Sequence, residues 1–388
     1  MSRGTGRPPP WRNVRLLRAI AQVVFLAAVV ATVGYLLANL RTNLSNQGIR
    51  TDFGFLDRPA GFRIPDSSFR AEQSVRDAIF VGVRNTIAVA GIGIVLATIL
   101  GVLTGVGRLS RNWLVRKAAS FYVETVRNVP PLVVIFFFWL AVILTLPPIG
   151  SATEWFGVTV FSNDGLVFPS LSAKPEATGF WPVVGLAVVA AIAVWIWRTR
   201  IFDRTGKPHR RVASATGLFA VVVLAGYFIL GRPLEASLPE RGEFGTTGGL
   251  RLNPEFAALL FALVLYTATH IAEIVRGALQ AVPKGQTEAA TALGLPHRKR
   301  LRYVILPQAL RIAVPPIANQ YLNLTKNTSL AVAIGFPEVT GVVFIAVGQG
   351  NPAPQSFAVL MLVYLIISLT ISAIVNIANR RLVLRGRA

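Results

Sequence analysis

The sequence predicts an all-α polytopic membrane protein with about eight transmembrane helices and with both termini in the cytoplasm. Three observations lead to this prediction. The chain of 388 residues is 53% hydrophobic and only 14% charged, whereas soluble proteins average about 45–50% apolar and about 25% charged residues. Uncharged apolar stretches, close to the ~20 residues that a helix needs to cross a bilayer, recur along the chain. Finally, the basic residues concentrate in alternate connections between these stretches.

The predicted spans follow a basic cytoplasmic tail at 1–18, of which residues 1–10 are expected to be disordered. An anchor helix at 19–40 comes first, and its apolar run is too long for the apolar region of a cleaved signal peptide. A polar outer loop at 41–79, rich in turn-forming residues, separates this anchor from the rest. An extra helical pair lies at 177–231. The five spans of the remaining core are 85–107, 128–153, 256–272, 312–335 and 356–379.

The charge distribution sets the orientation. With the N-terminus in the cytoplasm, 27 of the 39 Lys and Arg residues fall on the cytoplasmic side, and 13 of the 17 acidic residues fall outside. This is the positive-inside pattern of membrane proteins. Topology therefore explains the net charge of +22, and nucleic acid is not expected as a partner. The sequence contains no cysteine, which excludes disulfides and thiolate chemistry, and its three scattered histidines give no basis for a metal site.

The cytoplasmic segment 276–311 is too long and too patterned to be a simple connector. Pro283 is expected to end the preceding helix. Thr287 is expected to cap a short helix that begins at Glu288, where an acid in the first turn suits the helix dipole. Gly294 is expected to end that helix in the left-handed conformation.

A second short helix is predicted directly after this turn. Pro296 fits its first turn, and the helix is expected to run to about Ile305. Pro307 is then expected to break the chain. The result is a helix–turn–helix knob on the cytoplasmic face, which suits docking to a partner protein.

The same segment contains a long, spaced motif of small and turn-forming residues. Its positions are Glu288, Ala289, Ala290, Gly294, Val304, Leu306 and Pro307. The spacing resembles the EAA loop of ABC importer permeases (EAA-x3-G-x9-I-x-L-P), with Val304 in place of the usual Ile. Three flanking segments, 85–86, 124–131 and 326–330, look like the polar amino acid permease family. The outer stretch 46–69 and the extra helical pair are similar to the larger general L-amino acid permeases.

This resemblance implies a type I ABC importer permease fold, with the permease domain at 80–388 and the loop at 41–79 in the periplasm. It implies a transmembrane subunit in the bacterial inner membrane that moves L-amino acids, of broad or polar range, inward by alternating access. The implied partners are an ATP-binding subunit, a second permease subunit in a homo- or heterodimer, a periplasmic amino-acid-binding protein and membrane lipid.

In that family the EAA loop inserts into a cleft of the ATPase subunit. The resemblance therefore places the coupling contact at 276–311. Within it, Glu288, Ala289, Ala290 and Gly294 would lie at the contact, and Leu306 and Pro307 would fix the return path. The chain has no G-x-x-x-x-G-K-[ST] phosphate loop. ATP and Mg are accordingly expected on the partner, with no cofactor and no catalytic residue on this chain.

The span 312–335 contains too many polar groups for a lipid-facing helix. They are Asn319, Asn323, Lys326, Asn327 and Thr328, which are predicted to line the substrate pathway. A rise of about 1.5 Å per residue puts Lys326 roughly 20 Å into the bilayer, where a charge usually faces a cavity or a partner. Two alternatives stay open: Lys326 pairs with an acid or snorkels outward, and the asparagines join neighbouring helices.

Two further features are interpreted as structural. Glycines of the span 85–107 allow close helix packing; they are Gly91, Gly93, Gly101, Gly105 and Gly107. Glu124, Arg127 and Asn128 precede Pro130-Pro131 and are interpreted as a surface ion pair with a proline in the first helical turn; a kinked helix end next to a gate stays open as the alternative. The alternative function is a secondary transporter or channel for small polar solutes, which the ordered EAA loop and the scarcity of acids within the spans disfavour.

Overall fold

The computed structural model describes residues 14–46, 48, 52–205, 210–242 and 245–384. The predicted disordered stretch 1–10 lies outside the described residues, as do the other residues before 14. In the described part of the chain, six helices are long and apolar enough to cross a membrane, and there are up to eight spans if each of two bent helix pairs counts as one. The predicted polytopic all-α architecture is therefore confirmed.

Twelve α-helices occupy most of the described chain. They are α1 Val14–Asn46, α2 Val75–Gly107, α3 Trp113–Arg127, α4 Pro131–Phe136, α5 Phe180–Thr205, α6 Arg211–Ile229, α7 Pro254–Gln280, α8 Lys284–Ala292, α9 His297–Arg300, α10 Leu306–Asn327, α11 Val339–Gly348 and α12 Ala353–Leu384. π-helical turns at Phe137–Ile143 and Leu301–Ile305 follow α4 and α9, and a 3₁₀ turn at Thr328–Ile334 follows α10. Most of the predicted spans coincide with one of these helices.

The predicted span 128–153 is the exception. Its helix begins only at Pro131 and ends with the π-helical turn at Ile143, too early to cross a bilayer alone. Together with the preceding helix α3 it forms a pair that is bent by 107°. The bend falls at Pro130-Pro131, where two successive residues lack the N–H that would continue a helix.

Eight short strands within the described residues, none of them predicted, flank the α5–α6 hairpin. β1 Thr153–Trp155, β2 Thr159–Ser162, β3 Gly165–Phe168 and β8 Leu250–Leu252 form an antiparallel sheet in the order β1-β2-β3-β8. β4 Ser170–Ala173 pairs with β5 Leu234–Ser237, and β6 Glu240–Arg241 pairs with β7 Thr246–Thr247. Leu166 of β3 belongs to the same hydrophobic core as α7. The sheet therefore fixes both ends of the inserted hairpin segment to the main helical core.

The described residues divide into two compact units, one comprising the chain up to Ile87 with Pro337–Asn376, and the other Ala88–Phe336 with the residues after Asn376. In the first unit the predicted loop 41–79 is largely folded. Phe55, Phe62 and Phe69 are buried against residues of α2, α11 and α12. By contrast, no residue in the apolar stretch of α1 is buried, which is typical of a helix that faces lipid.

A buried carboxylate organises the same unit. Glu338 is fully buried and caps α11 by accepting a hydrogen bond from the Gly341 N–H at 3.0 Å. Its other oxygen accepts from the Tyr364 hydroxyl of α12 at 2.9 Å and lies 3.3 Å from the Thr86 hydroxyl of α2. The Asn85 amide donates to the Pro337 carbonyl at 2.9 Å. One acidic side chain thus joins three helices.

The second unit is built around α7, which contributes most of the buried residues of its core. Residues of α2, α4 and α10 complete that core, among them Ala97, Ile135 and Leu324. Gly101 and Gly105 face α7 closely, because a β-carbon at either position would lie less than 3 Å from α7 atoms. This confirms the predicted close packing at these two glycines, whereas Gly91 has nothing within 4 Å.

Candidate coupling loop and substrate-pathway helix

The knob begins with α8, which follows the end of α7 after three connecting residues. The predicted start at Glu288 is wrong, because α8 begins at Lys284 and Pro283 occupies the capping position. Thr287 lies one turn inside the helix, where its carbonyl accepts a hydrogen bond from the Thr291 hydroxyl at 2.7 Å. The fixed φ of proline suits a helix entrance, so the chain enters α8 without the Thr287 cap.

The predicted left-handed turn at Gly294 is confirmed. Gly294 has φ +70°, its N–H donates to the Thr291 carbonyl at 2.9 Å, and the Leu295 N–H donates to the Ala290 carbonyl at 3.1 Å. These are the two hydrogen bonds of a Schellman motif, which satisfies the last carbonyls of a helix. The turn is therefore sharply defined by local sequence.

The motif residues divide between the surface and the interior of the knob. Glu288 and Ala289 are exposed, and Ala290 is buried. Leu293, just before the turn, is 80% exposed. Glu288, Ala289 and Leu293 therefore form the accessible tip, and Ala290 packs beneath it.

The chain after the glycine turn continues without a break from α9 into α10. Pro296 caps α9, and a π-helical turn at Leu301–Ile305 leads directly into α10, with the Leu306 N–H donating to the Leu301 carbonyl. Pro307 lies in the first turn of α10. The predicted break at Pro307 is wrong, because the π-helical turn at Leu301–Ile305 precedes it and the helix continues directly into α10. Leu306 and Pro307 consequently start a helix that extends to Asn327.

The base of the knob is packed against both neighbouring helices. Ala278 of α7 and Val282 of the connection to α8 form a small core with Ala309 and Ala313 of α10. At the side, the Gln308 amide donates to the Gln286 side-chain oxygen at 3.3 Å. The knob is therefore joined to α7 and α10 by apolar packing as well as by the backbone.

The polar residues of α10 lie mainly on one exposed face. Asn319, Asn323 and Lys326 are exposed and stand at i, i+4 and i+7, and Asn327 beside them is half-buried. Thr328 does not share this face, since it is fully buried and its hydroxyl donates to the Thr325 carbonyl at 2.8 Å. We call Asn319, Asn323, Lys326 and Asn327 the polar stripe. The structure thus groups four of the five predicted pathway residues.

The opposite face of α10 is held against the core of its unit. Leu324 and Thr325 are fully buried, and the Tyr321 hydroxyl lies 2.9 Å from the Thr98 hydroxyl of α2. The helix cannot rotate the polar stripe inward without exposing this packed face. The orientation of the stripe is therefore fixed by packing.

Comparison with known proteins identifies the molecule. Residues 218–387 match the model of the family described as "Binding-protein-dependent transport system inner membrane component". The chain is 42% identical to the putative amino-acid ABC transporter permease protein YhdX of Escherichia coli, over 94% of each chain. It is 40% identical to the general L-amino acid transport system permease protein AapQ of Rhizobium johnstonii, over 94% of this chain and 92% of that one. The chain belongs to the family of amino-acid ABC transporter permeases.

A third relative extends the match over nearly the whole permease. It is the glutamate/glutamine/aspartate/asparagine transport system permease protein BztB of Rhodobacter capsulatus, 37% identical over 97% of this chain and 96% of that one. The family resemblance predicted from the EAA spacing is confirmed. The permease is an inner membrane transport component and not an enzyme, and it works with an ATPase and a substrate-binding partner. The alternative of a secondary transporter or channel is not favoured.

Sequence reasoning missed an ion cluster in the permease at the junction of α2, α3 and α7. Arg108 forms ion pairs with Glu273 and, at 3.5 Å, with Glu124, so the predicted ion-pair partner of Glu124, Arg127, is replaced by Arg108. Arg276 also pairs with Glu273. The i, i+3 spacing of Glu273 and Arg276 was a visible signal. The third member, Arg108, lies 165 residues from Glu273 in the sequence, so no local spacing indicated that the two would pair.

Proposed function

We propose that this permease is the transmembrane subunit through which L-amino acids, of broad or polar range, are imported by alternating access. The three named relatives support the substrate class, because each is an amino-acid permease similar to this chain over more than nine-tenths of its length. A periplasmic amino-acid-binding protein delivers the substrate, and a separate ATPase subunit supplies the energy.

The proposal for coupling rests on the accessible tip of the knob. The sequence has no phosphate-binding loop, so ATP and Mg are held by the partner. A partner can drive the permease only through contacts that differ between its own states. Glu288, Ala289 and Leu293 are exposed at a sharp glycine turn whose base is packed on α7 and α10. An ATPase that binds this tip and changes conformation moves α7 and α10 together.

The polar stripe supports the proposed pathway. Lys326 provides a positive charge for the carboxylate of an amino acid, and Asn319 and Asn323 provide amide donors and acceptors on the same face. A charge at membrane depth is costly against lipid and usually faces a cavity or a partner. A second permease subunit, which covers the stripe and encloses the pathway, meets this requirement.

The test is Gly294→Asp in the complete transporter, with ATP-driven uptake of labelled L-amino acids and retention of the ATPase subunit both measured. Asp tolerates the left-handed conformation better than most residues, so the subunit is expected to insert normally. The added charge at the tip is expected to release the ATPase and to abolish uptake. Normal uptake would contradict the coupling assignment.

Gly61→Asp is the matched control. Gly61 also has a positive φ, +76°, and at Gly61, as at Gly294, a β-carbon would have no heavy atom within 4 Å. The substitution therefore introduces the same charge with similar backbone strain, but in the folded loop before α2. ATPase retention and uptake are expected to match those of the unmodified transporter.

A further inference from the structure

The seam between α2 and α7 is closely packed. A β-carbon at Gly101 would lie 2.9 Å from the Ala268 carbonyl oxygen, and one at Gly105 would lie 2.6 Å from the Ala272 carbonyl oxygen. The two helices therefore approach closely along the glycine face of α2. The branched side chains of Ile271 and Val275 fill the spaces that the two glycines leave, since a β-carbon at Gly101 would lie 2.7 Å from Cβ of Ile271 and one at Gly105 would lie 2.9 Å from Cβ of Val275.

The ion cluster lies at the end of this seam. Arg108 directly follows α2 and remains bonded to its last turn, with its N–H donating to the Thr104 carbonyl at 2.9 Å. Its side chain is only 12% exposed and pairs through Nη1 with Glu273 Oε2. The other oxygen of Glu273 pairs with Arg276, whose Nη1 donates to Gln280 at 2.8 Å. Glu273 is thus the shared partner of two guanidinium groups.

The cluster also reaches α3. Arg108 Nη2 lies 3.5 Å from Glu124 Oε1, and two residues earlier in α3 the Tyr122 hydroxyl donates to the Leu265 carbonyl of α7 at 2.7 Å. α3 leads through Pro130-Pro131 into α4, which is buried in the core of the same unit. A displacement passed to α3 is therefore passed to the core.

We propose that the Arg108–Glu273 ion pair is a positioning device that transmits movement of the coupling loop from α7 to α2 and α3. The inference rests on the proposed coupling function of α8. Glu273 lies two turns before the end of α7, and three connecting residues join that end to α8. The ion pair adds a charged link from α7 to Arg108 and Glu124 at the end of the packed seam. Movement of α7 by the ATPase consequently carries α2 and α3 with it.

The experiment is Glu273→Gln in the complete transporter, reconstituted in lipid vesicles with the ATPase, the partner permease and the binding protein. Amino acid uptake and ATP hydrolysis are measured on the same vesicles. The number of substrate molecules imported per ATP is expected to fall about fivefold or more, with the ATPase still bound. A merely structural role would lower both rates in proportion and leave the ratio unchanged, and that result would overturn the proposal.

Two further variants complete the design. Asp164→Asn removes an ion pair with Arg251, formed at 2.8 Å in the same unit but away from the seam, and the ratio is expected to stay unchanged. Glu273→Asp keeps the charge but shortens the side chain, and an intermediate ratio is expected. Two outcomes would show that the ion pair is only structural and that the proposal is wrong. In the first, neither Glu273 variant assembles. In the second, Glu273→Gln does not assemble, whereas Glu273→Asp assembles and imports a normal number of substrate molecules per ATP.

The outcomes separate this inference from the proposed function. An unmodified transporter that imports amino acids with ATP, and loses this activity in Gly294→Asp, supports the coupling role of α8. A normal ratio in Glu273→Gln would then overturn only the transmission through the ion pair.

Discussion

One added methyl group at Gly105 is expected to destabilise the permease, whereas the same addition at Gly91 is not. Both glycines lie within α2, so the helix-propensity gain of Ala over Gly, about 1 kcal/mol, applies to both. A β-carbon at Gly105 would lie 2.6 Å from the Ala272 carbonyl oxygen and 2.9 Å from Cβ of Val275, but one at Gly91 has nothing within 4 Å. The difference between the two variants therefore isolates the packing cost.

The magnitude follows from these distances. Ordinary contacts of a β-carbon begin near 3.4 Å, so a contact at 2.6 Å requires the α7 backbone to move by roughly 0.8 Å. Overpacking costs about 1–3 kcal/mol, and a backbone carbonyl cannot rotate away as a side chain does. After the propensity gain is subtracted, Gly105→Ala is expected to lose up to about 2 kcal/mol and Gly91→Ala to gain up to about 1 kcal/mol.

Equilibrium unfolding of the purified permease in detergent micelles, followed by helical circular dichroism, measures both variants. Gly101→Ala is a second probe of the seam, since its β-carbon would lie 2.7 Å from Cβ of Ile271, and it is expected to follow Gly105→Ala. Equal free energies of unfolding for Gly91→Ala and Gly105→Ala would refute the close α2–α7 contact.

Two further predictions concern Glu338 and Lys326. Glu338→Gln is expected to lower the free energy of unfolding by about 1–3 kcal/mol in the same assay, because an amide nitrogen replaces an oxygen that accepts from Tyr364 or Gly341. An unchanged free energy of unfolding would contradict the capping role. The control is Asp57→Asn, which removes an exposed ion pair. Lys326→Ala is expected to reduce uptake or to alter the preference among labelled amino acids, because the stripe loses its positive charge, while Lys326→Arg keeps most of the activity. Unchanged uptake and selectivity in Lys326→Ala would eliminate the pathway role.

Helices were predictable because hydrophobic length is a local property of the sequence. The strands were not, because they are two to four residues long and lie in polar connections. Their pairing is also remote, as in the register of Leu166 with Leu252. The folded loop before α2 escaped prediction for a similar reason. Its buried aromatic residues are few, and they become a core only when residues of α11 and α12 pack against them.

The candidate site was predictable where one residue type determines the geometry. Gly294 adopts the left-handed turn because glycine has no β-carbon to oppose it. The helix start was misplaced because a proline entrance competes with a threonine cap a few residues later, and the sequence does not rank the two. Thr328 was grouped with the polar stripe by its polarity, although its position on the helix turns it toward the core.

The error at Pro307 has the largest consequence for mechanism. A broken chain there would have placed a flexible joint between the knob and the polar stripe. Instead, α10 runs for 22 residues from Leu306 to Asn327, a length of roughly 33 Å at about 1.5 Å per residue. The base of the knob packs on its first turns through Ala309 and Ala313, and Lys326 lies at its far end. The helix continues through Pro315 and Pro316, which each remove a backbone donor midway along it. In the proposed mechanism the ATPase contact and the substrate contact therefore lie on one helix, and a displacement at the knob is expected to change the position of the stripe.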